Sequence, residues 1–123
     1  MSVNADNSDA GFQELVRVLE EAVQAGIASI GLEYQDRELM VFYQVGIVGL
    51  GAARIAKDMQ QAVINELVKR AGLSRKSKGK MQVTLLGREF EVSVEEYDSF
   101  GESAFNLTLK ERKEQTRPTR RTR

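Results

Sequence analysis

The stretch that decides the fold is GKMQVTLLGREFEVSVEEYDSFGESAFNLTL, residues 79–109. Apolar residues alternate with polar ones in three successive runs, which begin near Met81, Phe90 and Phe105. A period of two is typical of strands that bury one face and leave the other in water. The residues 86–88 have the composition of a tight turn, and EEYDSFGES predicts a longer connection. The stretch therefore predicts a meander of three antiparallel strands.

The N-terminal part of the chain carries a helical pattern. From Phe12 onward the apolar residues recur at steps of three and four, which places them on one face of a helix. Ser8 or Asp9 is suited to cap the start of this helix, and Gly26 is suited to end it.

Between this helix and the meander, the sequence predicts a hairpin, a loop and a second helix. Alternating residues in 28–33 and 39–45 predict two strands joined by the turn YQDRE. The glycines in 46–51 predict a loop. From Ala52 an apolar residue recurs about every fourth position, which predicts a helix that ends before Gly72.

The resulting order, α-β-β-α-β-β-β, predicts an α+β fold. Each strand and each helix has one apolar face, so the simplest arrangement is a two-layer sandwich with both helices on the same face of an antiparallel sheet. The predicted core consists of Phe12, Leu15, Leu19, Ile30, Leu32, Leu39, Val41, Tyr43, Ile55, Met59, Val63, Leu67, Val83, Leu85, Phe90, Val92, Val94, Phe105 and Leu107.

Composition restricts the chemistry. The 123 residues include no cysteine and no histidine, which excludes disulfides, thiol catalysis and the commonest acid–base group and metal ligand. No apolar run approaches the ~20 residues of a membrane span, and the polar N-terminus does not resemble a signal peptide. We therefore expect a cytoplasmic protein that is not inserted in a membrane.

The charge is uneven although the formal net charge is zero. Residues 110–123 contain seven basic and two acidic side chains and no apolar one, which predicts a disordered basic tail. The sequence thus divides into a flexible N-terminus (1–10), a single α+β domain (11–109) and this tail (110–123).

Three stretches are similar to the sequence patterns of a known domain. The stretch LEEAVQAGIASIGLEY is similar to the pattern LLxxAxxxGASDIHIEP, and LMVFYQVGI to LRVRYRVDG. The opening quotation is similar to GRIxLxxxGREIDLRVSxxxxxxGExxxLRLL. Through these stretches the segment 12–109 resembles the small α+β domain that precedes the motor domain in the ATPases of type II secretion and type IV pilus assembly. The resemblance implies an accessory domain that binds or organises other proteins in a secretion or pilus machine.

Several positions depart from the family pattern. Ser29 and Gly31 stand where the family has Asp and His, and Ser93 replaces an arginine. The outward arginines of the second strand are replaced by Met40, Phe42 and Gln44. The sequence also ends where the ATPase domain of the family begins. The resemblance therefore implies the accessory domain standing alone.

No motif predicts catalysis. Gly79–Lys80 lacks the rest of a phosphate-binding loop, and in 49–54 an arginine replaces the third glycine of a dinucleotide loop. The acidic residues in 95–102 lack the spacing of a calcium loop and are interpreted as a solvated connection. We expect a non-enzymatic protein with no cofactor, no metal and no small-molecule substrate.

Two binding hypotheses remain. In the first, Met40, Phe42 and Gln44 on the face of the sheet away from the helices contact a protein partner or a second copy, although the tail or a loop could equally cover them. In the second, clustered basic residues contact nucleic acid phosphates. The basic residues in question are Arg70, Arg75, Lys76, Lys78, Lys80, Arg117, Arg120, Arg121 and Arg123.

Overall fold

The computed structural model describes residues 3–45 and 48–112. In chain order the elements are α1 (Val3–Gln24), β1 (Ser29–Gln35), β2 (Glu38–Val45), β3 (Val48–Arg54), α2 (Gln60–Ala71), β4 (Lys78–Leu85), β5 (Arg88–Ser99) and β6 (Glu102–Glu111). The strands form one antiparallel sheet in the spatial order β3-β2-β1-β6-β5-β4. The predicted α+β class, with two helices and an antiparallel sheet, is confirmed.

The period of two gives the sheet one apolar and one polar face. Along β4, Met81, Val83 and Leu85 are buried, whereas Gln82 and Thr84 between them are exposed. Because successive side chains of a strand point to opposite faces, the buried residues lie against the helices. We call this side the helix face and the other side the open face.

The core lies between the helices and the helix face. Leu15 and Leu19 of α1 and Val63 and Leu67 of α2 are almost completely buried and belong to the same apolar cluster as the inward residues of the sheet. All of the residues predicted for the core belong to this cluster or pack against it. The fold is therefore stabilised mainly by one contiguous apolar layer.

Two glycines allow the helices to approach their neighbours closely. A Cβ atom added to Gly11 in α1 would lie 2.7 Å from the carbonyl oxygen and the Cβ atom of Ala62 in α2. A Cβ atom added to Gly79 in β4 would collide with the carbonyl oxygen of Ala71, at the end of α2. A larger side chain at either glycine would force the helix layer outward.

The structure corrects the predicted order by adding a strand. Residues 48–54, predicted to be a loop and the start of a helix, form β3, and the order is α-β-β-β-α-β-β-β. Helix α2 begins only at Gln60, after a short 3₁₀ turn at Lys57–Met59. Ile55 reaches the core from the end of β3, where its N–H donates to the carbonyl oxygen of Leu39. The spacing suggested a helix because Ile55 and Met59 are both apolar.

Three boundaries also differ from the prediction. Helix α1 begins at Val3, so Ser8 and Asp9 lie inside the helix, and part of the predicted flexible N-terminus is helical. The predicted connection in 95–103 is instead the continuation of β5, a two-residue turn and the start of β6. Strand β6 continues to Glu111, which lies inside the predicted tail.

The glycine contact between β4 and α2 gives the first prediction. We expect Gly79→Ala to lower the free energy of unfolding by about 1–3 kcal/mol, because the new methyl group overlaps backbone that cannot rotate away. Chemical denaturation measures the change. Gly31→Ala is the matched control, since its methyl group would have no neighbour closer than 3.8 Å. Equal effects of the two substitutions would contradict the proposed contact.

Candidate interaction surface

The three residues predicted for partner binding lie together on the open face of β2. Met40 and Phe42 are half-buried, and Gln44 is exposed. Phe42 pairs across the ladder with Gly31, which has no side chain to cover it. Aromatic side chains often fill the space above a strand glycine, which gives Phe42 a structural role as well. We call Met40, Phe42 and Gln44 the open-face patch.

The open face beside this patch is polar. Ser93, Thr108, Ser29 and Gln44 are cross-strand neighbours in a row over four strands, β5, β6, β1 and β2. The Ser29 hydroxyl donates to the Gln44 side chain at 3.2 Å. Three members of this uncharged row, Ser29, Gln44 and Ser93, are positions at which the chain departs from the secretion-ATPase pattern.

The predicted basic residues do not form one patch. Arg70 lies in the helix layer, where its guanidinium donates to Glu66 at 2.9 Å and lies 3.6 Å from the centre of the Phe12 ring. Glu66 is buried and also lies 3.3 Å from Lys69. The sequence analysis grouped Arg70 with the downstream lysines, but the structure places it on a different element and engages it locally.

The remaining predicted basic residues lie at the β4 edge or outside the described residues. Arg75 and Lys76 are exposed in the connection to β4, and Lys78 and Lys80 are exposed on its open face. Lys80 forms an ion pair of 3.0 Å with Glu91 and lowers the pKa of that carboxyl group. The predicted tail contacts Arg117, Arg120, Arg121 and Arg123 lie outside the described residues.

A shallow cavity on the open face contains two of these lysines. It has a volume of about 290 Å³. Its lining includes Lys78, Lys80, Ser93, Asn106 and Thr108. These side chains can donate hydrogen bonds to an anion in the cavity. Glu95 also lines the cavity, and its carboxylate would repel an anion.

The β5–β6 hairpin continues past the end of its pairing with each neighbouring strand. Its own ladder continues to the pair Ser99 and Glu102, whereas the β4 ladder ends at Glu95 and the β1 ladder at Phe105. The last three residues of β5 thus extend about 10 Å past the end of both ladders, at ~3.3 Å per residue, while β1 itself continues to Gln35. We call residues 97–104 the hairpin tip.

Phe100, in the turn of the hairpin tip, is exposed to solvent. Its side chain is fully exposed, at 103% of the reference area, and its φ angle is 54°. A bulky residue at positive φ is uncommon, since the left-handed conformation costs about 1–2 kcal/mol. Among the described residues, the other exposed large apolar side chains are Val45 and Leu86, at 49% and 42%. Phe100 is therefore the most exposed apolar group that the structure describes.

A hydrogen bond braces the hairpin tip against β1. The Tyr97 hydroxyl donates to the Glu33 carboxylate at 2.7 Å, crossing over β6 on the open face. Ala104, the cross-strand partner of Tyr97, is completely buried. Burial of the phenol and its bond to Glu33 raise the pKa of Tyr97 to about 12. This bond restrains the direction in which the hairpin presents Phe100.

The acidic residues in 95–102 and the glycine segment in 49–54, which were considered as chemical sites, lie in strands or at their ends. Glu95 and Glu96 are consecutive residues of β5 and point to opposite faces, and Glu96 accepts a hydrogen bond from Ser103 at 2.7 Å. Within residues 3–45 and 48–112, no group of three or more acidic side chains is placed to hold a metal ion. The glycine segment considered as a dinucleotide loop is strand β3.

No protein-family model matches the chain, and no curated protein sequence matches it either. Among the described residues, neither helix combines the length and the apolar character that crossing a bilayer requires.

The exposed Phe100 and the contact between Tyr97 and Glu33 were not predicted from the sequence. A signal for the tip was present, because Gly101 lies at the second position of a two-residue hairpin turn. The acidic residues around it were interpreted as a loop, and the contact between Tyr97 and Glu33 depends on pairing between distant strands.

The Tyr97–Glu33 bond gives the second prediction. Because the folded-state pKa of about 12 is above the ordinary value of 10.0, the bond stabilises the fold below pH 10. This contribution is lost as the pH rises through 12. We expect Tyr97→Phe to lower the free energy of unfolding by about 1 kcal/mol at neutral pH.

An ultraviolet titration of the tyrosines checks the assignment. The phenolate signal with a pKa of about 12 should disappear in Tyr97→Phe. Tyr43→Phe is the control, since Tyr43 bonds to Glu21 on the helix side. If the most alkaline component persisted in Tyr97→Phe, it would belong to a different tyrosine and the assignment to Tyr97 would be wrong.

Proposed function

We propose that the protein is a non-catalytic protein-interaction or scaffolding module that contacts its partner with the hairpin tip. The observation that carries the proposal is the complete exposure of Phe100 at the turn of a braced hairpin. Aromatic side chains supply much of the binding energy in protein interfaces, because they bury a large apolar area on association. The open-face patch lies on the same sheet and is a secondary contact region.

The resemblance to the pre-motor domain of secretion and pilus ATPases supports the same class of function. We propose a related role, as an accessory domain in the cytoplasm that organises other proteins. The two-layer α+β fold agrees with the fold that the resemblance implies. The absence of histidine and cysteine from the sequence supports a binding role over an enzymatic one.

Nucleic-acid binding is the second candidate. The cavity that brings Lys78 and Lys80 beside Ser93, Asn106 and Thr108 favours it. The ion pairs of Lys80 and Arg70 with carboxylates weigh against it, because contact with phosphates would have to break them. We therefore rank the protein interaction first.

The third prediction separates the role of Phe100 in binding from its role in folding. Phe100→Asn should raise the free energy of unfolding by about 0.5–1 kcal/mol, since asparagine tolerates the left-handed conformation that phenylalanine resists. The same substitution should abolish partner binding. A photoreactive amino acid at Glu102 in host cells measures binding as a discrete cross-linked adduct.

Leu86→Asn is the matched control. Leu86 has a φ angle of 52° and also precedes a glycine in a two-residue turn. The Leu86→Asn variant should also have a higher free energy of unfolding, and it should still form the cross-linked adduct. If the adduct survived in Phe100→Asn, or if no adduct formed with the unchanged hairpin, the hairpin tip would not be the binding element.

A fourth prediction concerns the second candidate. The protein-interaction proposal predicts that labelled single-stranded RNA shows no rise in fluorescence anisotropy with the full chain at ~50 mM salt. A salt-dependent rise that disappears in Lys78→Glu/Lys80→Glu would instead favour nucleic-acid binding. Gln82→Glu, on the same strand and face, controls for the added negative charge.

A further inference from the structure

An apolar cavity lies at the end of the sheet away from the hairpin tip. It has a volume of about 210 Å³ and is formed between the end of α1 and strands β5 and β6. Val23, Ile27, Phe90 and Leu109 supply its apolar lining, and Arg88 and Glu111 also line it. Phe90 and Leu109 are buried, and Val23 and Ile27 are half-buried, so the cavity opens an apolar surface to water. We call it the socket.

The socket and Phe100 lie at opposite ends of the same two strands. Phe90 and Glu111 are the first pair of the β5–β6 ladder, and Ser99 and Glu102 are the last. At ~3.3 Å per residue, the two ends are about 30 Å apart. Phe100 cannot reach the socket of its own chain. Only Phe100 of another copy can therefore enter the socket.

We infer that Phe100 of one copy inserts into the socket of the next, so that the protein assembles head to tail. The inference rests on the proposed function of Phe100 and names its partner as a second copy of this chain. The volumes agree, because an apolar cavity of roughly 150 Å³ is sufficient to bind benzene. Insertion would bury the most exposed apolar side chain that the structure describes.

Carboxylates lie beside Phe100, and a guanidinium lies beside the socket. Asp98 and Glu102 flank Phe100 and are exposed. At the socket, the Arg88 guanidinium lies 3.2 Å from Glu111 and 5.7 Å from the centre of the Phe90 ring. A guanidinium has five N–H donors, so Arg88 can bind a carboxylate of the incoming hairpin while it keeps Glu111. Arg88 is therefore the group at the socket that a carboxylate of the tip would contact, and Glu111 beside it offsets part of its charge.

This geometry determines the form of the assembly. We call the side chain of Phe100 the knob. The knob and the socket are different surfaces, so the contact is heterologous, and each added copy leaves one knob and one socket free. Such a contact produces a chain of copies, or a ring where the rotation between copies closes. A symmetric dimer that buried Phe100 against Phe100 would use only one surface and would stop at two copies.

A mixing experiment tests the inference and gives the fifth prediction. Phe100→Ser lacks the knob, and Ala28→Trp blocks the socket, because Ala28 is exposed and lines it. In sedimentation velocity, the unchanged protein should form species that grow with concentration, and each variant alone should be monomeric. The two variants mixed should form a complex of two copies and nothing larger, since only one knob and one socket are intact.

Two controls keep the result interpretable. Val45→Ser removes another exposed apolar side chain and should associate like the unchanged protein. Ala28→Arg blocks the socket with a different side chain and should behave like Ala28→Trp, and thermal unfolding verifies that all variants are folded. A pair of folded variants that fail to combine would overturn the inference, as would unchanged association of Phe100→Ser.

The failure of the inference differs from the failure of the proposed function. If the unchanged protein were monomeric at all concentrations while Phe100 was still required for an adduct with a different protein, self-assembly would be wrong and the interaction module would stand. If Phe100 affected neither measurement, both would be wrong.

Discussion

The close approach of the two helices to their neighbours is the constraint on which the rest of the structure depends. Gly11 lets α1 pack directly on Ala62 of α2, and Gly79 lets the end of α2 rest on β4. These contacts bring the apolar faces of both helices against the same side of the sheet, where Leu15, Leu67 and their neighbours exclude water. A sheet covered on one side only must solvate the other side, and the open face is accordingly polar.

Local pairing offsets several of the charges on the surface that the structure describes. Lys80 pairs with Glu91, Arg88 with Glu111 and Arg54 with Glu38, each between neighbouring strands or across a turn. Exposed pairs of this kind contribute little to stability, but they neutralise each other at short range. The most exposed apolar side chain that the structure describes, Phe100, takes no part in these pairs and lies at the turn of the β5–β6 hairpin.

Much of the fold could be predicted because burial on a strand or helix has a period. The alternation around Val83, Val92 and Leu107 placed the strands, and every residue predicted for the core lies in or against it. Strand β3 could not be recognised in this way, because its two glycines resemble loop residues and Ile55 continues an apparent helical spacing. It forms because β2 offers it an edge to pair with.

The candidate site was harder to predict, because it depends on how far the strands extend past one another. Met40 and Phe42 could be assigned to the open face from alternation alone. The projection of the hairpin tip depends on where the β4 and β1 ladders end, and the sequence carries no local signal for that. The bond between Tyr97 and Glu33 likewise joins residues that only the strand order brings together.

Three hairpin turns among the described residues show why Phe100 differs from residues with the same backbone conformation. Asp36, Leu86 and Phe100 all have positive φ angles, so backbone strain alone does not distinguish a functional residue. Aspartate tolerates this conformation, and the N–H of Leu86 donates to Glu20 of α1 at 2.9 Å, which anchors that turn to the helix layer. Phe100 combines the strain with full exposure of an aromatic ring, and a partner that buried the ring would remove the cost of that exposure.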